Sequence, residues 1–466
     1  MKSSPPAVAL VLSRSELSPS NDRPAFTRLS RWVPASVRVH PKWARIEHWV
    51  LKLGEFFLAQ GLLQVVSAIG GFLLLRWMSV ESYATFTLTF AIQSAMIACV
   101  DVGFSGAIVP LVGARTNDRS VIGAYVAAAR RLRRWMLPFV LGGGLAVFWF
   151  LGRRQNVDVP TIAGLFVLVA VTLWFNAISV LYGGPIVIRQ DLRYLQGVQN
   201  VMGLLRVAGY AGAHAAGWLG SVTALGLNAA LNGGLAAAMR HRGRPAIDEP
   251  AGDAPAAEVA RKEILRFVRP QVPVLAFNAV QGQITIFLVS FVGNGASLAA
   301  IGALSRLNLL FSVTPYFLGW IVQPYFSRLG PAMVSRRFWQ LTLAGMAALA
   351  MAPLFGFLLP APFLWLLGPN YGHLRIEVGL LLLAGAIGAS VGLVSTLSLS
   401  RRWIFADAIL WIAPLTVGFQ ALVVAWGDVS SPSGAIGVMI AGNTGSLIAY
   451  LMLAVRGQRR TVLSSP

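Results

Sequence analysis

From residue 55 to residue 455 the chain alternates between long apolar runs and short polar breaks. Twelve runs have about the length that crosses a bilayer as a helix, roughly 20 residues. They lie near 55–76, 84–112, 135–151, 160–183, 195–217, 219–239, 267–292, 297–326, 338–360, 376–400, 404–426 and 433–455. A backbone in hydrocarbon must satisfy its own polar groups, so runs of this length predict helices. The pattern therefore reads as an all-α polytopic membrane protein with about twelve transmembrane helices. Pro138, Pro273, Pro315 and Pro353 fall inside predicted spans, where neighbouring helices can satisfy the freed backbone groups.

The cations orient these helices. Of the 38 Lys and Arg residues, thirty-two lie in the two termini and in every second connection. The intervening connections hold four, Arg76, Arg153, Arg154 and Arg375, and the spans hold two, Arg206 and Arg306. Positive charge concentrates on the cytoplasmic side, which predicts both termini inside, in a bacterial inner membrane. The longest interior break, rich in Arg, Pro, Asp and Glu, divides the chain. The expected organisation is a basic cytoplasmic tail over 1–54, six helices over 55–239, a cytoplasmic loop over 240–266, six helices over 267–456 and a short tail over 457–466. An even number of spans in each half makes the two lobes run parallel, as in transporters built from parallel repeats.

Composition adds to this in three ways. Charged residues are 12% and hydrophobic residues 56%, against a usual charged share of about 25% in soluble domains. With a mean hydropathy of +0.67, lipid is the solvent that fits. A net charge of +21 would suit a nucleic-acid binder, but the cations are scattered in small clusters, which argues against that partner. Cys99 is the sole cysteine, so neither an intrachain disulfide nor a Cys-based metal cage is expected.

At the start of the chain, the apolar run Ala7–Leu12 is too short for a signal-peptide core, and residues 1–42 read as a disordered tail. Trp43, Ile46, Val50 and Leu53 recur at helical spacing beside Arg45 and Lys52. That stretch is either an amphipathic helix on the membrane surface or an inward extension of the first span.

Polar groups inside spans are costly and mark function. In the fifth span Gln199, Gly203, Arg206, Tyr210 and His214 share one helical face. Gln60 and Gln64, with Ser67 and Gly71, do so in the first, and Asn278 and Gln281 stand with Gln271 and Thr285 in the seventh. Gly302, Arg306, Tyr316 and Trp320 lie close together in the eighth. At 1.5 Å per residue, Arg206 is roughly 16 Å and Arg306 roughly 14 Å from the start of its own span. Both therefore sit near mid-depth, either as struts bonded to carbonyls or lining a hydrated cavity. Two mid-depth guanidinium groups without a matching acid point to an anion, and their donor fork suits phosphate. Candidate binding residues are thus Arg206, Arg306, Tyr210, Gln60, Gln64, Asn278 and Gln281. Asp101, Glu55 and His214 are candidates for ion coupling, against which stand pairing with loop arginines for Asp101, an interface position for Glu55 and a core role for His214.

The sequence has no Cys/His cluster, no phosphate-binding G-x-x-x-x-G-K-[ST] loop and no G-x-S-x-G elbow. Neither an enzyme nor a cofactor is expected, nor a metal.

Four segments carry a family likeness: LLRWMSVESYATFTLTF (74–90), DVGFSGAIVPLVGAR (101–115), RFVRPQVPVLAFNAVQGQITIFLVSFVG (266–293) and AIGALSRLNLLF (300–311). They resemble Wzx-type polysaccharide (O-antigen) flippases of the multidrug/oligosaccharidyl-lipid/polysaccharide exporter superfamily, with a MATE-like fold. The resemblance implies two six-helix lobes around a V-shaped cleft. It also implies a polyprenyl-diphosphate-linked oligosaccharide as cargo, moved from the cytoplasmic to the periplasmic leaflet by alternating access for surface polysaccharide biosynthesis. Partners would be that anionic lipid-linked glycan, membrane lipids and other membrane proteins of polysaccharide assembly. Arg306, within AIGALSRL, is the cationic cavity residue that the likeness carries over. The alternatives are a multidrug exporter, whose cationic cargo would favour acidic cavities, and a major-facilitator exporter, whose motif GARTNDRSVIG keeps only in part. A glycan polymerase or ligase would need a substantial outer loop that the chain lacks.

Overall fold

The computed structural model describes residues 43–463 apart from 114, 116, 190, 249–254, 271, 328, 402 and 404–406. The expected tail over 1–42 lies outside the described residues, as do Gln271 and the side chains of Glu55, Tyr316, Trp320 and the predicted amphipathic stretch. The chain divides into two units, 1–57 and 58–466. Helix α1 runs unbroken over Trp43–Trp77, which is the backbone of an extended first helix.

Nine helices are long and apolar enough to cross a membrane among the described residues, and a bent pair makes a tenth. The protein is a multi-pass membrane protein. After α1 come α2 (Val80–Asp101), α3 (Arg119–Arg154), α4 (Val159–Ile188), α5 (Leu192–Ala215) and α6 (Ser221–Gly243). A connecting helix, α7 (Pro255–Val268), precedes the bent pair α8 (Val272–Gln281) and α9 (Ile284–Val292). Then follow α10 (Gly295–Ser305), α11 (Pro331–Leu358), α12 (Arg375–Ser400), α13 (Ile409–Trp426) and α14 (Pro432–Leu463). The polar face of α5 dilutes its hydropathy, and α10 is short but continues as a 3-10 turn through Phe311. With those two, the described residues hold about twelve membrane segments, six before α7 and six after it.

Local chemistry explains most boundaries. Ser79, Asp118, Asp158 and Asn294 each accept a backbone N–H with the side chain at a helix start, as capping requires. Hydrogen bonds from Ser120 and Val121 hold the Asp118 carboxyl below the usual carboxylate range.

Four features differ from the sequence reading. The second span ends at Asp101 because Val102 and Gly103 take φ of 37° and 86°, a left-handed turn that breaks the helix. Residues up to 112 form a separate short helix, Ile108–Val112. The basic run Arg130–Arg134, expected in a loop, lies within the 36-residue helix α3. The expected loop over 240–266 contains α7, whose Ala260, Ile264 and Val268 are buried at helical spacing against Ile122 and Val126 of α3. An amphipathic stripe that short reads as loop unless its docking face is known. Lastly, the seventh segment bends by 45° between α8 and α9, and the eighth leaves α-helical geometry at Arg306.

A central apolar cluster joins Tyr83 and Phe86 of α2, Leu298 to Leu304 of α10, and Val378 and Leu381 of α12. The first six-helix lobe has a further core around Ile108, Ile122 and Met239. The second has one around Phe326, Phe338 and Trp403. Helix α2 packs directly on α10, so the two lobes meet along that seam.

Candidate functional site

Three irregularities build the site. Gly282 interrupts the seventh segment, turning Gln281 and Gln283 out of a regular helical register. The eighth segment tightens to a 3-10 turn from Arg306 to Phe311. Gly302 meets Thr87 of α2 in contact too close for any added side chain. Irregular backbone at membrane depth is tolerated where it lines a cavity, and here it does. A cavity of about 400 Å³ is walled by Thr87 and Ser94 of α2, by Gln281 and Gln283 at the bend, and by Ser305, Arg306 and Asn308 of the eighth segment. Gln420 of α13 and Asn443 of α14 complete its polar wall.

Arg306 is the cation of this wall. Its Nε–H donates to the Tyr83 hydroxyl at 3.3 Å, and that hydroxyl donates to the Gly302 carbonyl at 3.2 Å. The guanidinium carbon lies 5.9 Å from the Phe86 ring centre and 5.8 Å from that of Phe90. Such placement over aromatic faces stabilises a desolvated cation without neutralising it. No carboxylate pairs with Arg306 or Arg206 among the described residues. Thr87 Oγ1 and Asn308 Oδ1, both on the cavity wall, are buried without a hydrogen-bond partner among those residues. The wall thus offers one guanidinium, several amides and several hydroxyls, a set suited to phosphate and sugar oxygens.

The sequence-derived candidates separate on inspection. Arg306 and Gln281 line the cavity. Arg206 does not, and its Nε is buried without a partner among the described residues. Tyr210 is 2% exposed and packs on Gly70 of α1. Gln60 is buried and Gln64 half-buried on the same helix. Asn278 hydrogen-bonds the Tyr450 side chain. Asp101 accepts from Arg133 Nε at 2.8 Å and from the Ser105 N–H at 3.1 Å. His214 stacks flat on Trp77 with ring centres 4.5 Å apart. No group of acidic, His or Cys side chains that could hold a metal occurs among the described residues.

Reading the sequence missed Tyr83, Thr87, Asn308, Gln420 and Asn443. They come from four different segments, and only the packing of α2, the turn after α10, α13 and α14 brings them together. Asn443 also donates to the Ala384 carbonyl at 2.8 Å, which fixes its place in the wall.

Twelve membrane helices in two six-helix halves, with a polar cavity at a bent helix, define the MATE-like transporter fold. The lipid II flippase MurJ in an inward closed conformation superposes with a TM-score of 0.62 at 11% identity, over 88% of this chain and 90% of that one. An inward-facing multidrug-resistance MATE transporter of the MOP superfamily gives 0.53 at 16% identity, over 86% and 96%. The eukaryotic MATE transporter AtDTX14 gives 0.54 at 12% identity, over 87% and 97%. No protein-family model and no curated protein matches the chain.

Proposed function

We propose that this protein is a membrane transporter that flips a polyprenyl-diphosphate-linked oligosaccharide from the cytoplasmic to the periplasmic leaflet of a bacterial inner membrane. It works by alternating access of two six-helix lobes and serves surface polysaccharide synthesis. The observation that carries this reading is Arg306, a guanidinium without a carboxylate partner on the wall of a cavity otherwise lined by amides and hydroxyls. A desolvated cation attracts the diphosphate, while amides and hydroxyls suit the sugars. Arg206, a mid-depth guanidinium whose buried Nε has no partner among the described residues, supplies the second cation of a diphosphate clamp. A solved structure of similar fold, MurJ, is a lipid II flippase. A cation in the wall disfavours the cationic cargo of a drug exporter.

The test is a leaflet assay for the lipid-linked glycan in cells carrying Arg306→Gln, Arg206→Gln and the two Lys variants, normalised to folded protein. A point charge loses the bidentate fork, so all four variants trap the intermediate in the inner leaflet. Normal export by all four, or failure that follows protein level alone, refutes the clamp. Absence of any lipid-linked glycan from the deletion strain refutes the substrate class.

A further inference from the structure

We propose that a notch on the outer wall of α3 and α4, separate from the central cavity, binds the phosphate of an anionic phospholipid. The notch holds about 170 Å³, room for roughly six waters at about 30 Å³ each, which fits a phosphate and its glycerol. Four arginines reach it, Arg130, Arg133 and Arg134 of α3 and Arg240 near the end of α6. They are not equivalent. Arg133 is committed, bonded to Asp101 and donating to the Ala177 carbonyl at 2.7 Å. Arg130 donates to the Tyr182 hydroxyl at 2.9 Å and lies over that ring. Arg134 and Arg240 are exposed and have no hydrogen bond or ion pair among the described residues. Asp101 offsets the charge of Arg133, so Arg134 and Arg240 are the two guanidinium groups that the notch offers to an anion.

The remaining wall decides between a soluble anion and a lipid. It is apolar, with Leu137, Ile178, Leu181 and the half-exposed Trp174. Beside it on α3, Trp135 and Phe139 are 69% and 74% exposed, as expected of side chains facing hydrocarbon. Exposed tryptophans mark the membrane interface, so the arginines stand at headgroup level with the apolar wall just below them. Basic pockets between membrane helices suit anionic head groups, and the guanidinium fork suits their phosphate oxygens. The occupant is therefore a phospholipid of net negative charge, such as phosphatidylglycerol, in the leaflet at the Arg130–Arg134 end of α3.

The experiment uses the full chain in detergent and reads retained lipid by native mass spectrometry during titration with phosphatidylglycerol, phosphatidylcholine or inorganic phosphate. The wild type holds phosphatidylglycerol in preference to phosphatidylcholine, and millimolar inorganic phosphate does not displace it. In the double variant Arg134→Gln/Arg240→Gln, affinity for phosphatidylglycerol falls roughly thirtyfold, whereas Arg134→Lys/Arg240→Lys retains most of it. Both residues are exposed, so the variants fold, which melting curves check. Equal binding of phosphatidylcholine, displacement by inorganic phosphate, or unchanged affinity in the Gln double variant each overturns the proposal.

Discussion

Arg306 donates its Nε–H to the hydroxyl of Tyr83 at 3.3 Å, across the seam where α2 meets the eighth membrane segment. The same hydroxyl donates to the Gly302 carbonyl one helical turn before Arg306. Tyr83 is fully buried, so one oxygen ties both the backbone of α10 and the cavity's cation to the first lobe.

Tyr83→Phe therefore removes an acceptor from Arg306 and a donor from Gly302 while keeping the ring. The expected loss of stability is about 2 kcal/mol, from two hydrogen bonds each with a usual net worth of about 1 kcal/mol. Transport per folded molecule falls further, because Arg306 loses its aim. Melting curves and export assays on the same preparations separate the two effects, and unchanged export would show that Tyr83 only packs.

Adjacent glycines of α1 give a sharper contrast. A Cβ at Gly71 would stand 3.2 Å from Arg306 Cδ and 3.3 Å from its Nε, whereas at Gly70 it would meet Val207 at an ordinary 3.5 Å. Gly71→Val pushes the guanidinium off the Phe86 and Phe90 rings and lowers export at least tenfold, on the order of one lost charge-assisted contact. Gly70→Ala leaves export within about twofold. Equal behaviour of the two variants would dissociate Gly71 from the site.

Much of the fold was legible because hydrocarbon imposes one rule on every span. The twelve runs followed from hydropathy, whereas mid-depth placement marked Arg206 and Arg306 alike, and only the family likeness singled out Arg306, the one of the two on the cavity wall. What was not legible depends on partners distant in sequence. The apolar stripe of helix α7, Ala260, Ile264 and Val268, lies within a charged, proline-rich break, and the face of α3 that it covers is far away in sequence. The bend at Gln281-Gly282-Gln283 carried a cue, a glycine between two amides. Nothing in the sequence relates Thr87, Gln420 and Asn443 to one another until α2, α13 and α14 bring them to one wall.

Asp101 tests the difference between a coupling carboxylate and a structural one. Its oxygen bonds Arg133 through two guanidinium nitrogens, and the Arg133 side chain is only 5% exposed. Asp101→Asn strands that buried charge, at a cost of about 3 kcal/mol. A marked fall in melting temperature is expected, and Asp101→Asn/Arg133→Met recovers most of it. Wild-type stability of Asp101→Asn together with lost ion dependence of transport would assign Asp101 to coupling instead.

At the opposite end of the helices from Arg133, two clasps join the lobes. Arg76, at the end of α1, donates to the Trp365 carbonyl and lies 5.0 Å over that residue's ring. Gly368 fits beside it, since a Cβ there would meet the Arg76 side chain at 3.2 Å. Arg154, at the end of α3, lies 4.5 Å over the Phe291 ring, and Gln155 donates to the Ser290 carbonyl at 2.9 Å. Each contact joins a residue of the first half of the chain to one of the second half, Trp365 lying on the short helix Pro360–Leu367 between α11 and α12. On the proposed alternating-access cycle they hold that end shut and must part for cargo to leave. Each cation–ring contact contributes roughly 0.5–1 kcal/mol at exposed sites, so removing both shifts a closed–open balance by about tenfold. The expected outcome is that Arg76→Ala/Arg154→Ala opens a path to the cavity from outside. A membrane-impermeant maleimide should then label Ser305→Cys, in a Cys99→Ala background, about tenfold faster than without the two substitutions. Equal labelling rates in both backgrounds would show that the clasps do not close the cavity, and that the seam between α2 and α10 does so alone.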